Sequence, residues 1–279
     1  MKYQDINAET IDRWAREGWE WSLPIPHETF TAAERGEWEI LLTPTRPMPR
    51  EWLGELRGKT VLGLAAGGGQ QMPILTALGA DCTVLDYFEE QLRREREVAR
   101  REGYAIELVR ADMTEPLPFA DASFDLIIHP VSNCYVREVR PIFRECYRVL
   151  RRGGVLLAGL GNEVNYLVDE AEREIVFAMP FDPLKNPHQM KLLSDTDCGV
   201  QFSHSVEEQI GGQLEAGFVL TGLYGDTNGE GRLHELGIET YLATRAVKLR
   251  LPRRVFSGKS CGKSSELLDF LSNLCYNEA

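Results

Sequence analysis

The chain has 279 residues and a formal net charge of −12, long enough to bury a full core as one large domain or as one domain with an appendage. Its acidity argues against a broad nucleic-acid or anionic-membrane surface, and no run approaches the roughly 18 apolar residues of a membrane helix. The opening MKYQDINAETIDRW is polar and lacks the apolar stretch of a signal peptide, so a cytoplasmic protein is expected.

Residues 1–52 have an unusual make-up, because they hold all five tryptophans, Trp14, Trp19, Trp21, Trp38 and Trp52. The pattern predicts a helix over residues 8–17 with Asn7 as its N-cap. GWEWSLPIPHETF reads as an extended segment broken by prolines, and residues 31–42 as a second helix with Thr31 as cap and Glu34 at capping-box spacing. TPTRPMPREW is a linker. Such a segment cannot make its own core, so it must pack on the rest of the chain. It serves there either as plain packing or as a lid, and rigid aromatics suit a lid because they exclude water at low entropic cost. Trp19, Trp21 and His27 are its candidate substrate-facing residues.

The chain is organised around TVLGLAAGGGQQMPILTALGADCTVLD, residues 60–86. An apolar strand at 61–64 runs into Gly67, Gly68 and Gly69, then a helix over 70–78 stopped by Gly79, then a second strand at 82–85 ending on Asp86. Glycines let a backbone approach a ligand, and a helix starting just after them offers unpaired N–H groups. An acid about 20 residues past the loop suits the two hydroxyls of a ribose. A dinucleotide fingerprint would need a small residue where Met72 stands, which argues against an NAD-dependent oxidoreductase.

Strand and helix then alternate. A charged helix over 88–102, closed by Gly103, carries Glu89–Arg93 and Glu90–Arg94 pairs at i,i+4 spacing. A third strand at 106–109 ends in Arg110-Ala111-Asp112, a fourth spans 124–128, a helix spans 136–150 with Pro141 in its first turn or kinking it, and a fifth strand spans 155–160. This alternation implies a parallel sheet with right-handed crossovers. Residues 161–204 interrupt it and are long enough to be a binding loop or lid. A helix at 206–215 and strands at 218–224 and 240–248 follow, the two strands able to pair antiparallel. The fold class expected is α/β, a doubly wound, mostly parallel seven-stranded sheet with a C-terminal antiparallel hairpin. The expected organisation is a lid segment over 1–52, an α/β domain over 53–249 with the 161–204 insertion, and a tail over 250–279. GKS at 262–264 only superficially suggests a phosphate loop, because Ser257 replaces the required glycine and no strand leads into it. The six cysteines are scattered with no C-x-x-C pair, so buried thiols are expected rather than a metal site or a disulfide framework.

Taken together, VLGLAAGGGQ at 61–70, Leu85-Asp86, Arg110-Ala111-Asp112-Met113, LPFADASFDLIIHP and RVLRRGGVLLAG resemble, in order, the motifs of class I S-adenosylmethionine-dependent methyltransferases. The resemblance covers about residues 55–248 and implies S-adenosylmethionine as cofactor. It also implies a cofactor site drawn from Ala65, Gly67, Gly69, Gln70, Asp86, Tyr87, Asp112, Met113 and His129. Gly67 and Gly69 would admit the methionine end, Asp86 would take the ribose hydroxyls, and Asp112 with Met113 would meet the adenine. Asp86 has a second reading as a loop acid capping the next helix, and Asp112 as a turn-forming side chain. The sequence departs from the family at two positions: Gly63 stands where an acid is usual, and Ala65 where the first glycine is usual. Gln70, Gln71 or a residue of the N-terminal segment is expected to compensate.

Methyl transfer from a sulfonium is a direct displacement that needs alignment and exclusion of water, and a base only if the acceptor must lose a proton. The carboxyl end of the fourth strand, His129-Pro130-Val131-Ser132-Asn133-Cys134-Tyr135, is the expected substrate edge. His129 is either a base or a hydrogen-bond donor across the cofactor loop, and Asn133 and Tyr135 are candidates for orienting an acceptor. Asn162 and Tyr166, with Glu163 and Asn165, follow the fifth strand and are candidate pocket residues. The leading reading is a methyltransferase acting on a small molecule, with neither nucleic acid nor membrane as partner. The alternative is a non-catalytic cofactor-binding or regulatory protein, suggested by Gly63 and Ala65.

Overall fold

The computed structural model describes residues 2–249; the tail and its GKS stretch lie outside them. Seven strands form one sheet, β1 (Thr60–Leu64), β2 (Asp81–Asp86), β3 (Glu107–Arg110), β4 (Phe124–His129), β5 (Leu150–Gly161), β6 (Val219–Asp226) and β7 (Tyr241–Val247). Their order is β3-β2-β1-β4-β5-β7-β6. β1 to β5 pair in parallel, and β7 runs antiparallel between β5 and β6. The order reverses at β1/β4, the switch point where open α/β sheets bind ligands.

Eight α-helices accompany the sheet among the described residues: α1 (Tyr3–Glu17), α2 (His27–Glu34), α3 (Gln71–Ala77), α4 (Glu89–Glu102), α5 (Arg140–Val149), α6 (Pro187–Asp195), α7 (Gly212–Ala216) and α8 (Gly231–Glu235). On one face, Ala33 of α2, Met72, Ile74 and Leu75 of α3 and Leu92 of α4 pack with Val61, Val84 and Ile128 of the sheet. On the other, Ile142, Phe143, Cys146 and Val149 of α5 pack with Leu62, Ile127 and Leu156. The doubly wound sheet with its antiparallel hairpin is therefore present as the sequence predicts.

Some expected boundaries move, each for a local reason. α1 begins at Tyr3, its first turn closed by the Asp5 carboxylate accepting from Lys2 N at 3.2 Å. Asn7 is thus no N-cap. It is buried inside α1, where its amide accepts from Val200 N (2.6 Å) and donates to Val200 O (3.0 Å), bonding the N-terminal helix to the insertion. The helix expected over 31–42 is instead α2, which starts after Pro26 and ends at Glu34, because the chain turns at Gly36 with φ +85°. α5 starts four residues later than expected, with Pro141 in its first turn, because Asn133–Tyr135 form a separate 3-10 turn. The helix expected over 206–215 is a π-helical stretch, Glu207–Gly211, continued by α7.

The N-terminal segment is built into the core. Ile40, Leu42, Met48 and Trp52 belong to the same buried cluster as β1 and β2. Leu42 O lies against β5 so closely that a Cβ on Gly159 would fall 1.8 Å from it. Only glycine permits that approach of two backbones. Asp226, at the end of β6, then accepts from Thr45 N (2.8 Å), Arg46 N (3.0 Å) and the Thr45 hydroxyl. These hydrogen bonds hold the carboxyl below its ordinary range despite its burial. Residues 40–46 are thereby fixed across the carboxyl ends of the strands.

Candidate functional site

The carboxyl ends of β1, β2, β4 and β5 open on a cavity of about 850 Å³. Its first side is formed by residues 65–67, Gln70 and Gln71 after β1, by Asp86 at the tip of β2, and by Phe88 and Gln91. Its second side is formed by residues 130–132 and Cys134 and Tyr135 after β4, Asn165 and Tyr166 after β5, and Tyr241 at the start of β7. Trp19, Glu20, Trp21 and residues 41–44 of the N-terminal segment also line it, as do residues 170–172 of the insertion. A smaller cavity adjoins it, shared by Gln4 and Asn7 of α1, Asp86, Tyr87, Asp112 and Met113.

The glycine loop is held from three sides. Asp86 is buried, its Oδ2 accepting from Gly67 N and its Oδ1 from Phe88 N, both at 3.0 Å. It thus braces the loop and caps the turn into α4 at once. Burial lifts its pKa to about 6, against the pull of those amide bonds. A Cβ on Gly67 would fall 2.8 Å from Asp86 Oδ2, so glycine is needed for this approach. Gln70 Nε2 donates to Glu20 O (2.9 Å) and Leu23 O (3.2 Å), and Gln71 Nε2 to Leu41 O (3.2 Å), fastening the loop to the N-terminal segment.

The third support is Glu95 of α4. It is fully buried, and its Oε1 accepts from Gly69 N at 2.7 Å while Oε2 has no partner. Burial raises its pKa to about 8, so the group is mainly neutral at pH 7. No motif drew attention to it, because it lies within the charged run of α4.

The two departures in the first motif have structural explanations. A Cβ on Gly63 would meet Met72 Sδ at 2.7 Å and Cγ at 2.9 Å. Met72, fully buried, occupies the space that a side chain at 63 would need. The large residue that argued against close helix–strand packing is therefore accommodated by the glycine opposite it. Ala65 takes a left-handed conformation, φ +48°, with its N–H donating to Leu85 O at 2.8 Å. That conformation explains why a glycine is usual there, and it leaves an alanine strained.

Several expected site residues stand elsewhere. His129 is fully buried, its Nδ1 2.9 Å from Leu64 O and its Nε2 2.8 Å from Asn133 Oδ1, and its ring does not line the cavity. Burial pushes its pKa down. Of the two readings of His129, this geometry fits the hydrogen-bonded link and not the base: the ring ties the end of β1 to the turn after β4. Asn133 is buried with it and lines neither of the two cavities. His27 is exposed on α2 and pairs with Glu102 at 2.8 Å, away from the cavity. Asn162 caps the 3-10 turn Glu163–Tyr166, accepting from Val164 N at 3.2 Å, and does not line the cavity either. Gly69 sits behind the loop on Glu95. Tyr87 borders the smaller cavity and donates to Asp5 Oδ1 at 3.2 Å. Asp112 Oδ1 accepts from Thr114 N (2.8 Å) and the Thr114 hydroxyl (2.7 Å), leaving Oδ2 without a partner among the described residues. Gln91, Gln201 and Tyr241 escaped the sequence reading because each is isolated in its segment and reaches the site only through tertiary packing.

Fold and site together describe a Rossmann-like protein with a large recess beside its glycine loop. The comparisons narrow this. A methyltransferase domain family matches residues 62–158. The chain is 41% identical over 250 residues to YbaJ, an uncharacterized methyltransferase of Bacillus subtilis (strain 168), covering 87% of this chain and 97% of that protein. In fold it is similar to an S-adenosylmethionine-dependent methyltransferase from Mesorhizobium loti (TM-score 0.57, 19% identity, 71% of this chain and 94% of that one). It is likewise similar to a putative S-adenosylmethionine-dependent methyltransferase from Listeria monocytogenes (TM-score 0.56, 15% identity, 80% and 100%). The chain belongs to the class I S-adenosylmethionine-dependent methyltransferases, and its cofactor is S-adenosylmethionine.

The residues present fit that cofactor. Gln91 Oε1 lies at the glycine loop, closed from solvent and without a hydrogen-bond partner, as an acceptor awaiting a donor. Each Asp86 oxygen has capacity beyond its one amide bond. Among the described residues no cluster of side chains suits a metal ion, and no helix is long and apolar enough to cross a membrane.

Proposed function

We propose that the 850 Å³ cavity is where a methyl group is delivered to a small-molecule acceptor. The observation that carries this is the continuity of one cavity from the glycine loop and Asp86 to the segments after β4 and β5. When bound, the cofactor supplies an electrophilic methyl group on a sulfonium. In this reading the backbone of residues 65–67 and the Gln91 carbonyl flank its amino-acid end, Asp86 accepts from its ribose hydroxyls, and Asp112 with Met113 meets its adenine. Trp19 and Trp21 from one side and residues 170–172 from the other cover the acceptor and keep water out. Positioning of this kind can supply on the order of 7–11 kcal/mol of the barrier.

Neither His129 nor Cys134 is a ready base. His129 is out of reach, and burial lifts the Cys134 thiol to about 12, so it stays protonated. Alignment rather than proton abstraction by these two groups therefore carries the reaction. A cofactor-binding protein without transferase activity is not favoured, given the methyltransferase family and relative that the chain matches. Calorimetric titration of S-adenosylmethionine and S-adenosylhomocysteine into the protein and into Asp86→Ala tests the reading. Micromolar binding that Asp86→Ala weakens by at least tenfold is expected; equal binding by the two proteins would remove Asp86 from the site.

A further inference from the structure

The far side of the cavity has a definite chemical character. Tyr135, Tyr166 and Tyr241 line it around Cys134. Burial raises the pKa of all three phenols, so they are neutral near pH 7. Tyr166 donates to Gln201 Oε1 at 2.9 Å, which fixes one ring. The outer lining adds Glu170, Glu172 and Glu230 against a single basic group, Arg232.

The ion pairs decide what that balance means. Arg232 Nη1 shares its charge with Glu235 Oε2 at 2.9 Å in an exposed i,i+3 pair, which leaves its other nitrogens open. Glu172 is committed to the fold, accepting from Leu233 N at 2.6 Å and Asn228 Nδ2 at 3.4 Å. Glu170 and Glu230 are both exposed, and among the described residues neither has an ion-pair or side-chain hydrogen-bond partner. An anionic acceptor would thus meet two unpaired carboxylates and one exposed guanidinium shared with Glu235, whereas recognition of carboxylate or phosphate calls for a positive partner that outweighs nearby like charge. Neutral aromatic faces with nearby negative charge instead favour a cation.

From this lining we infer that the acceptor is a small organic amine, bound as its cation against Tyr135, Tyr166 and Tyr241 and drawn in by Glu170 and Glu230. The inference rests on the proposed methyl-transfer site and names the acceptor class for it. The amine nitrogen loses its proton to water. Its lone pair then forms the new C–N bond as the methyl's bond to sulfur breaks with its electrons going to sulfur. The products are the N-methylated ammonium and neutral S-adenosylhomocysteine, so charge and atoms balance. Leu41, Leu42 and Val131 on the cavity wall take the amine's apolar body.

The test is calorimetric titration of phenethylamine, 2-phenylethanol and 3-phenylpropionate into the full chain saturated with S-adenosylhomocysteine at pH 7.5. These probes share a ring and differ in the charge of the head group. The amine is expected to bind on the order of tenfold tighter than the alcohol and to exceed the acid by more. The double variant Glu170→Gln/Glu230→Gln should lose most of that preference while its S-adenosylhomocysteine affinity stays within twofold. Tyr241→Phe, which keeps the aromatic face, should retain amine binding that Tyr241→Ala loses. Equal binding of amine and alcohol, or tighter binding of the acid, overturns the inference and leaves the methyl-transfer reading standing. Failure of S-adenosylhomocysteine itself to bind overturns both.

Discussion

Gly63→Ala tests whether Met72 fills the place of a side chain at position 63. The added Cβ would sit 2.7 Å from Met72 Sδ, 2.9 Å from Cγ and 3.2 Å from Cε. A thioether is adaptable, but Met72 is fully buried between α3 and the sheet and has little room to swing. Overpacking of this kind costs about 1–3 kcal/mol, offset by up to about 1 kcal/mol from the narrower unfolded ensemble of alanine. Met72→Ala alone should cost about 2–5 kcal/mol through the cavity it leaves. In the double variant the new methyl enters that cavity, so the total should fall short of the sum of the singles by about 1–2 kcal/mol. Urea unfolding followed by tryptophan fluorescence measures all three, since residues 14, 19, 21, 38 and 52 report on the segment packed against this face. Additivity within about 0.5 kcal/mol would refute the claim that Met72 fills the place of a side chain at 63. Gly63→Asp should be worse than Gly63→Ala in any background that retains Met72, because it adds a buried charge to the clash.

Cofactor binding should weaken by about tenfold per pH unit below pH 6, where Asp86 takes up its proton and loses acceptor capacity; a flat profile from pH 5 to pH 8 in Kd would show that Asp86 does not hold the ligand. The folded pKa of Glu95 is raised, so the folded protein binds its proton more tightly than the unfolded chain, and this group favours the fold at low pH. That contribution is lost as pH rises from the ordinary carboxylate range through about 8. Glu95→Gln should therefore flatten the fall in Tm between pH 5 and pH 9, while Glu95→Ala should loosen the loop at every pH; a Gln variant with the wild-type slope contradicts this. Gly159→Ala should expel residues 40–46, because the new Cβ would land 1.8 Å from a backbone carbonyl that no side-chain rotation can relieve. Faster proteolysis in that segment and a stability loss of more than about 3 kcal/mol are expected, and unchanged hydrogen exchange at Leu42 and Thr43 would count against it. Ala65→Gly should relieve a left-handed alanine, whose strain of about 1–2 kcal/mol outweighs the added entropy of glycine, so Tm should rise slightly or hold; a fall of several degrees would mean the Ala65 methyl is packed for a purpose.

What was legible in the sequence follows from how each feature is encoded. The alternation of strand and helix over residues 60–160 is written locally, in apolar runs punctuated by Gly79, Gly103 and the glycine triplet, and the sheet appears where that pattern puts it. Asp86 was legible for the same reason, since its place depends only on the strand that carries it. The N-terminal segment was not, because its conformation is set by partners far along the chain: Val200 draws Asn7 into a helix interior, Asp226 fixes Thr45, and Gly159 makes room for Leu42. His129 shows the opposite failure. Its residue type and position suggested chemistry, but hydrogen-bond partners at Leu64 O and the Asn133 amide turn the ring inward, and no local pattern marks which way a histidine at a strand end will face. Glu95 was hidden in a run of charges that otherwise reads as solvated, and only the helix register that turns it inward, beneath Gly69, distinguishes it from Glu97 two residues on, whose side chain is half exposed. With glycine at 63, the carboxylate beneath Gly69 comes from the helix beside the loop, not from the strand beneath it.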